Sequence, residues 1–376
     1  MQSRCASAFA GMFLASALVA QGQGIVLQNG VDAHFDVPYA PALIPGGGIT
    51  LEAWITYDDS TITAGTYKWP TVCRQNPTPG QESYFLRVAA ANTAARVLQF
   101  KVETTSGGRA VTFPFAAGAF STWTHVAGTW DGTTQNLYVN GALVATASLG
   151  GGRIIDRGGE LRVGNGDVSA PGAETWNGEI DELRIWPFAR SASEIADSMH
   201  DEISGLPTGA ITFGLNGIYI DSSSGLTGNP TGPIGFANNT LALVPRLALS
   251  FGVGPGSTTC LLPVSQGIGG PAVIGRAGFS WVATGVTPSS QGFLMLSFGT
   301  AAPTSIFGIA IHLDTNGLLA FGTTASAIGT ARLPLAIPNR PALVGAGLSS
   351  QFVFLDATCG SQGLVASDAM TVGIQQ

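Results

Sequence analysis

The segment N-G-E-I-D-E-L-R-I-W at residues 177–186 holds the side chains whose types and spacing most suggest chemistry. Successive residues of a strand point to opposite faces. Strict alternation therefore puts Asp181, Leu183 and Ile185 on one side, and Ile180, Glu182, Arg184 and Trp186 on the other. Retaining glycoside hydrolysis needs two carboxyls ~5–5.5 Å apart, one as nucleophile and one as acid/base. Glu179 and Asp181 share a face, but its third position is Leu183 and Glu182 points away, so the acid/base is missing and no catalytic residue is expected. Glu52, Glu182 and Arg184 read instead as a charge network on a half-buried sheet face, where guanidinium and carboxylate neutralise each other. An ionised Asp181 beside Leu183 and Ile185 would be costly unless a cation or hydrogen-bond donors meet it. His125 alternates with Trp123 and Ala127 and has no second histidine, cysteine or acid at ligand spacing, so it reads as a packed core histidine; His34, His200 and His312 are similarly isolated. No Ser-His-Asp order, phosphate loop or dinucleotide glycine pattern survives its context.

The elements that must position these residues are strands. W-T-H-V-A-G-T-W-D-G-T-T-Q-N-L-Y-V-N-G-A-L-V-A (123–145) predicts three consecutive antiparallel strands, because Asn140-Gly141 suits a type I′ turn with positive φ at both central positions. A two-residue loop would set Val139 against Ala142, Tyr138 against Leu143 and Leu137 against Val144. I-T-L-E-A-W-I (49–55) alternates, and 84–88 and 97–103 read as further strands. The convincing helix is short, about 193–203, where Ser191 and Glu194 have capping-box spacing. The longest irregular connection, Asp58 to about Gln81, carries Tyr67 and Trp69 beside Lys68. Sugar rings stack their C–H faces on such aromatics, so Tyr67, Trp69 and Trp176 are candidate platforms; equally, the three could cover the edge of the core.

Length and composition divide the chain. Its 376 residues exceed one ordinary core, and residues 1–245 hold 20 of the 23 acidic and 12 of the 16 basic residues, a balance of −8, against +1 for 246–376. Glycine is abundant at 52 residues and lysine is confined to Lys68 and Lys101, which suits short strands and tight turns; no basic patch for nucleic acid exists. Residues 1–22 read as a secretory signal, with one positive charge, an apolar stretch Ala8–Ala20 and small residues near Ala20 or Gly22. That stretch is short of the ~20 residues a membrane-spanning helix needs, and no other segment could span. In an exported protein Cys260 and Cys359 are the expected disulfide, with both remaining free as the alternative, and Cys73 is left over as a buried thiol.

In combination, V-L-Q-N-G-V-D-A-H-F-D-V-P (26–38), T-L-E-A-W-I, W-T-H-V-A-G-T-W-D-G…L-Y-V-N-G and G-E-I-D-E-L-R-I-W followed by S-A-S-E-I resemble the laminin-G-like or concanavalin A-like jelly roll over about residues 25–203. The fold class this implies is all-β: a laminin-G-like (concanavalin A-like) jelly-roll sandwich at 23–204, an extension at 205–245 packing on it, and a second, smaller β-sandwich at 246–376. The last resembles a C-terminal module of exported bacterial proteins through F-G-V-G-P-G-S, 333–356 and S-D-A-M-T-V, and that resemblance implies no activity. Laminin-G-type relatives commonly bind calcium at the sandwich rim, and the matching positions are Asn29 and Asp181; backbone carbonyls and water would have to complete the shell. The weightier alternative has Asn29 forming its Asn-Gly turn and Asp181 accepting backbone N–H groups. The resulting expectation is a secreted, non-catalytic protein recognising a polysaccharide or an extracellular protein, with calcium as a structural clamp. A structural or adhesive surface component is the second reading, and a hydrolase with its acid/base on another strand the third.

Overall fold

The computed structural model of the chain describes residues 21–60, 69–169, 172–203, 210–215, 218–221, 225–242, 244–246, 251–252, 264–306, 309–326, 329–356 and 363–376. In chain order the first part comprises β1 (Gln21–Leu27), β2 (His34–Val37), β3 (Ile49–Ile55), β4 (Thr71–Gln75), β5 (Tyr84–Ala89), β6 (Val97–Thr104), β7 (Gly107–Pro114), β8 (Thr124–Trp130), β9 (Thr134–Val139) and β10 (Ala142–Ser148). It continues with β11 (Leu161–Val163), β12 (Gly178–Trp186), helix α1 (Ala192–Ser198), β13 (Asp201–Ile203), β14 (Ile211–Phe213), β15 (Asn229–Thr231), β16 (Gly235–Ala242) and β17 (Val244–Arg246). Sheet A runs β10-β9-β8-β3-β12-β1-β16, with β14 also pairing β12, and sheet B runs β15-β2-β11-β4-β5-β6-β7. The two sheets bury one core between them, including Phe35, Leu51, Tyr84, Phe100, Val126, Trp130 and Ile185. Strands β14 and β16 extend sheet A and β15 extends sheet B, and Ile211, Phe213 and Leu215 join the core.

Where backbone chemistry dictates geometry, the expected elements form. Asn140 and Gly141 take φ 47° and 76°, and Val139 pairs Ala142 and Tyr138 pairs Leu143. The third expected pair is corrected: a bulge at Val144 sets Leu137 against Ala145. Ser191 accepts the Glu194 N–H while the Glu194 carboxylate accepts the Ser191 N–H, completing the capping box. The helix ends earlier than the expected 203, because 201–203 leaves it to pair as β13, parallel to β17.

A bulge also corrects the reading of β12. Asp181 pairs Trp54 and Arg184 pairs Glu52, so Glu182 and Leu183 together oppose Ala53, and Glu182 absorbs the extra residue at φ 49°. The alternation therefore shifts by one. Ile180, Leu183 and Ile185 face the core, while Asp181, Glu182, Arg184 and Trp186 face outward with Trp54 and Glu52. Asp181 is not on the apolar face, and Glu182 is not opposite to it. That outward face is itself covered: α1 lies across it, with Ile195 against Ala127 and Tyr138, so every residue of β3 is buried.

Residues 251–376 form further β layers. A six-stranded sheet built around Gly347–Leu355, which pairs with Gln291–Ser297, faces a three-stranded sheet of Ser265–Ile268, Ser280–Thr284 and Ala331–Pro334 across a core containing Trp281, Leu294, Phe352 and Phe354. Asn316-Gly317 has the residue types of a further hairpin turn, but the strands on its two sides do not pair with each other. Ile309–Leu313 pairs with Thr300–Ile306, and Leu319–Thr324 pairs with Gln291–Ser297, so this turn joins two sheets. Gly317 has φ 80° but Asn316 is not left-handed, and it donates its N–H to Asp314 instead, so the type I′ condition is unmet. Cys260 and Cys359 lie outside the described residues, as do 1–20. Cys73 is buried in the core, and burial pushes its thiol up to about 12. No helix among the described residues is long and apolar enough to cross a membrane.

Gly128 shows how closely the sheets approach, because a Cβ on β8 would overlap the Phe100 ring of β6. Gly128→Ala is expected to destabilise the protein by about 1–3 kcal/mol, measurable as a lowered denaturation midpoint at unchanged m-value.

Candidate functional site

The outward face of sheet A holds the suspected acidic residues, and Glu52, Asp181 and Glu182 among them are sealed. Glu52 is 0 % exposed; its Oε1 accepts from the Trp186 indole (2.7 Å) and from Arg190 Nη1 (2.7 Å), and Oε2 accepts a second bond from the same nitrogen (2.9 Å). Arg184 donates to Glu182 Oε2 through Nε and Nη2 (3.2 and 2.7 Å) and lies 3.7 Å from Glu52. Burial alone would raise the Glu52 carboxyl, but the Arg190 and Arg184 guanidiniums outweigh it and hold it below the usual carboxylate range. Burial wins at Glu182 and raises its carboxyl despite Arg184. The expected network of Glu52, Glu182 and Arg184 thus exists, with Arg190 as a member that sequence reading missed.

The same network reaches the C-terminal layers. Arg190 Nη2 donates to the carbonyls of Glu194 (2.7 Å) and Gly269 (3.0 Å), and its guanidinium lies 4.4 Å over the Trp186 ring. Arg332 pairs with Glu194 (2.9 Å) and donates to the Ala189 carbonyl (2.7 Å), while Arg276 pairs with Asp201. Gly278 N–H donates to Asp197 (2.7 Å).

This sealing limits what the acids of β12 can reach. The bulge puts Glu179, Asp181 and Glu182 on one side of the strand, a richer acidic set than alternation gave. Yet Asp181 and Glu182 are buried, and Glu179 alone of the three keeps exposed surface, with burial raising its carboxyl. Two carboxyls cannot flank a sugar there. His125 is buried 3.8 Å from Glu52 with its ring 5.4 Å from Trp54, and burial lowers its imidazole to about 3. It is a neutral packed histidine, as its isolation implied.

The pair expected to hold calcium is not brought together. Asp181 pairs with Trp54 on one side of β12 and stands beside Gly24 of β1 on the other. Asn29 is five residues further along that chain, ~16 Å at strand rise. Asn29 donates its N–H to Asn177 Oδ1 (3.0 Å), and the Asp181 carboxylate accepts the Glu182 N–H (2.8 Å). These are the bonds of the alternative reading, and the two residues do not fit a shared ion. Among the described residues no cluster of three histidine, cysteine or acidic side chains could hold a metal.

Of the three aromatic platforms, Trp176 is corrected. It is fully buried, its ring 4.8 Å from Tyr57, and its indole donates to the Thr56 carbonyl (2.9 Å), so it belongs to the core. Tyr67 lies outside the described residues. Trp69 is 42 % exposed and stands where the chain enters β4.

Trp69 borders the outward face of sheet B. Register carries one row of side chains across this face: Asp36, Arg162, Arg74, Phe85, Lys101 and Ala110. Most of its charges are paired. Arg162 makes a two-pronged contact with Asp36 (2.8 and 2.9 Å), Arg74 meets Glu82 (3.1 Å), and Lys101 meets Glu82 (3.0 Å) and Glu103 (2.9 Å). A cavity of about 280 Å³ at the β2 end is lined by Asp32, His34, Asp36, Arg162, Val168 and Thr231. Its polar groups bond one another, with His34 Nδ1 3.0 Å from Asp32 and Asn165 donating to the same oxygen (2.9 Å).

Arg87 differs. Its Nε donates to Gln99 Oε1 on β6 (2.8 Å), and its guanidinium lies 4.0 Å from the Phe85 ring centre and 5.6 Å from that of Trp69. Burial pulls it down to about 10, so it stays charged at neutral pH. Sequence reading identified both strands but not this site. The signal was present, since alternation puts Phe85 with Arg87 and Gln99 with Lys101, but nothing in the sequence brings Trp69 to that face.

Residues 29–196 match the concanavalin A-like lectin/glucanases superfamily. The resemblance seen in the strand motifs therefore holds over that segment, and residues 29–196 form a laminin G-like, concanavalin A-like domain. No curated protein sequence matches the chain. Similar solved structures include a putative carbohydrate binding protein from Bacteroides ovatus (18% identity, 59% of this chain and 61% of that one, TM-score 0.45). Another is the Ruminococcus gnavus IT-sialidase CBM40 bound to alpha2,3 sialyllactose (19%, 48% and 97%, 0.37). A third is the mouse laminin alpha1 chain, domains LG4-5 (11%, 100% and 86%, 0.34). The chain spans less than two thirds of the Bacteroides ovatus protein.

Two stability predictions follow from the sealed face. Glu52→Gln removes the carboxylate that meets Arg190 and is expected to cost about 3–5 kcal/mol in equilibrium unfolding. His125 is depressed on folding, so its contribution is complete above about 6.5 and is lost as pH falls toward 3. In chemical-denaturation series between pH 6.5 and 4.5, stability of the wild type should therefore fall more steeply than that of His125→Gln, by up to about 1.4 kcal/mol per pH unit.

Proposed function

We propose that the concanavalin A-like domain at residues 29–196 is the glycan-recognising part of an exported, non-catalytic protein, and that it binds on the outward face of sheet B around Trp69. The observation that carries this reading is an exposed indole beside a sheet face of ordered polar side chains, Arg87 and Gln99 foremost. An aromatic face supplies stacking area for a sugar ring, and fixed donors and acceptors beside it orient the hydroxyls. The superfamily match supports a lectin-like role, although its members include both lectins and glucanases. Burial of Asp181 and Glu182 favours the lectin side. The N-terminal apolar stretch supports export. Calcium has no part in the reading, because Asn29 and Asp181 are apart.

The test is a glycan array on the purified protein, with and without chelator. Binding is expected, unchanged by chelator, and weakened roughly 10–30-fold by Trp69→Ala, with melting temperature preserved. Absence of binding would favour the structural or adhesive reading, to which the interlocked layers around Arg190 lend support. Turnover of a β-glucan that is abolished by Glu179→Gln would establish a hydrolase instead.

A further inference from the structure

We infer that the ligand carries a single acidic group, a sugar carboxylate, and that Arg87 is the residue that reads it. This rests on the binding face proposed around Trp69.

Arg87 is held in place through only part of its guanidinium. Its Nε is committed to Gln99, and Phe85 packs against the plane of the guanidinium at 4.0 Å. Among the described residues, neither Nη group has a hydrogen-bond or ion-pair partner. Nearby acids do not take that place: Glu82 bonds Arg74 and Lys101, and Glu174 accepts the Asp167 N–H (2.9 Å). Both lie outside ion-pair distance of Arg87 but near enough to support its charge, while Arg74 opposes it. Among the described residues, the other cations that register places on this face, Arg74, Lys101 and Arg162, each meet a carboxylate. A pre-oriented guanidinium whose Nη groups have no partner among the described residues matches a planar carboxylate through two parallel hydrogen bonds, and its rigidity reduces the entropy lost on binding. Trp69, 5.6 Å away, is placed to stack the ring that bears the acid.

Net charge narrows the class further. At −7 the chain repels a polyanion at long range, and the charged residues flanking Arg87 are already neutralised in pairs. Recognition is therefore a short-range contact with one acidic sugar at a chain end, rather than attraction along a charged polymer.

The experiment measures affinity, at 0.15 M salt, for an oligosaccharide ending in glucuronic acid and one ending in sialic acid, each beside its carboxyl-reduced counterpart. At least one acid form is expected to bind about tenfold or more tightly than its reduced form. Arg87→Gln should remove that preference and Arg87→Lys should restore only part of it, while Trp69→Ala should weaken acid and reduced forms alike. Thermal melts of all three variants identify any that fails to fold, and Arg87→Lys keeps the test readable if Arg87→Gln does. Equal binding of acid and reduced forms, or a preference that survives Arg87→Gln, overturns the inference while leaving the glycan site standing. Preference for a sulfated oligosaccharide over both acids also overturns it. Binding of none of the probes and of no glycan on the array overturns both readings.

Discussion

One buried carboxylate organises this molecule. Glu52, at the middle of a central strand, accepts from the Trp186 indole and the Arg190 guanidinium with Arg184 close by, and none of them reaches water. Unpaired, a charge at that depth would cost several kcal/mol. Paired, it ties together three elements distant in sequence: β3, the end of β12 and the turn into α1. From Arg190 and Glu194 the bonds continue to Gly269, Ser280 and Arg332, so the C-terminal layers dock where the helix does.

This docking gives the two sheets opposite fates. The outer face of sheet A, which carries the acids that resemble a hydrolytic set, becomes internal. Asp181 accepts a backbone N–H and Glu182 neutralises Arg184; both act as packing. On sheet B the outward side chains are ordered by lateral ion pairs, and among the described residues no helix lies across Trp69 and Arg87. The proposed ligand face is thus the one that the docking of α1 and the C-terminal layers leaves aside.

How much of this was legible follows from where each determinant lies. Asn140-Gly141 and Ser191/Glu194 were readable because a few adjacent residues determine those geometries. Strand existence was readable from alternation. Bulges at Val144 and Glu182 were not, since an extra residue absorbed mid-strand leaves no mark in the sequence, and the second of them reversed the assignment of Asp181 and Ile180. Trp176 looked like a platform because its partner, Tyr57, is more than a hundred residues away. Asn316-Gly317 announced a turn but could not say which strands it joins. Arg87 is the most instructive miss. Its strand was identified, but its significance depends on Gln99, Phe85 and Trp69 converging from separate segments and on the described neighbouring cations being paired.

The central claim is that sheet A's outward face is structural and sheet B's is for recognition. Hydrogen–deuterium exchange of the full chain, with and without a saturating acidic oligosaccharide, tests it most directly. Slowed exchange confined to residues 84–89 and 97–104 and the approach to β4 is the predicted result. Protection appearing at 178–186, with β5 and β6 unchanged, would contradict it.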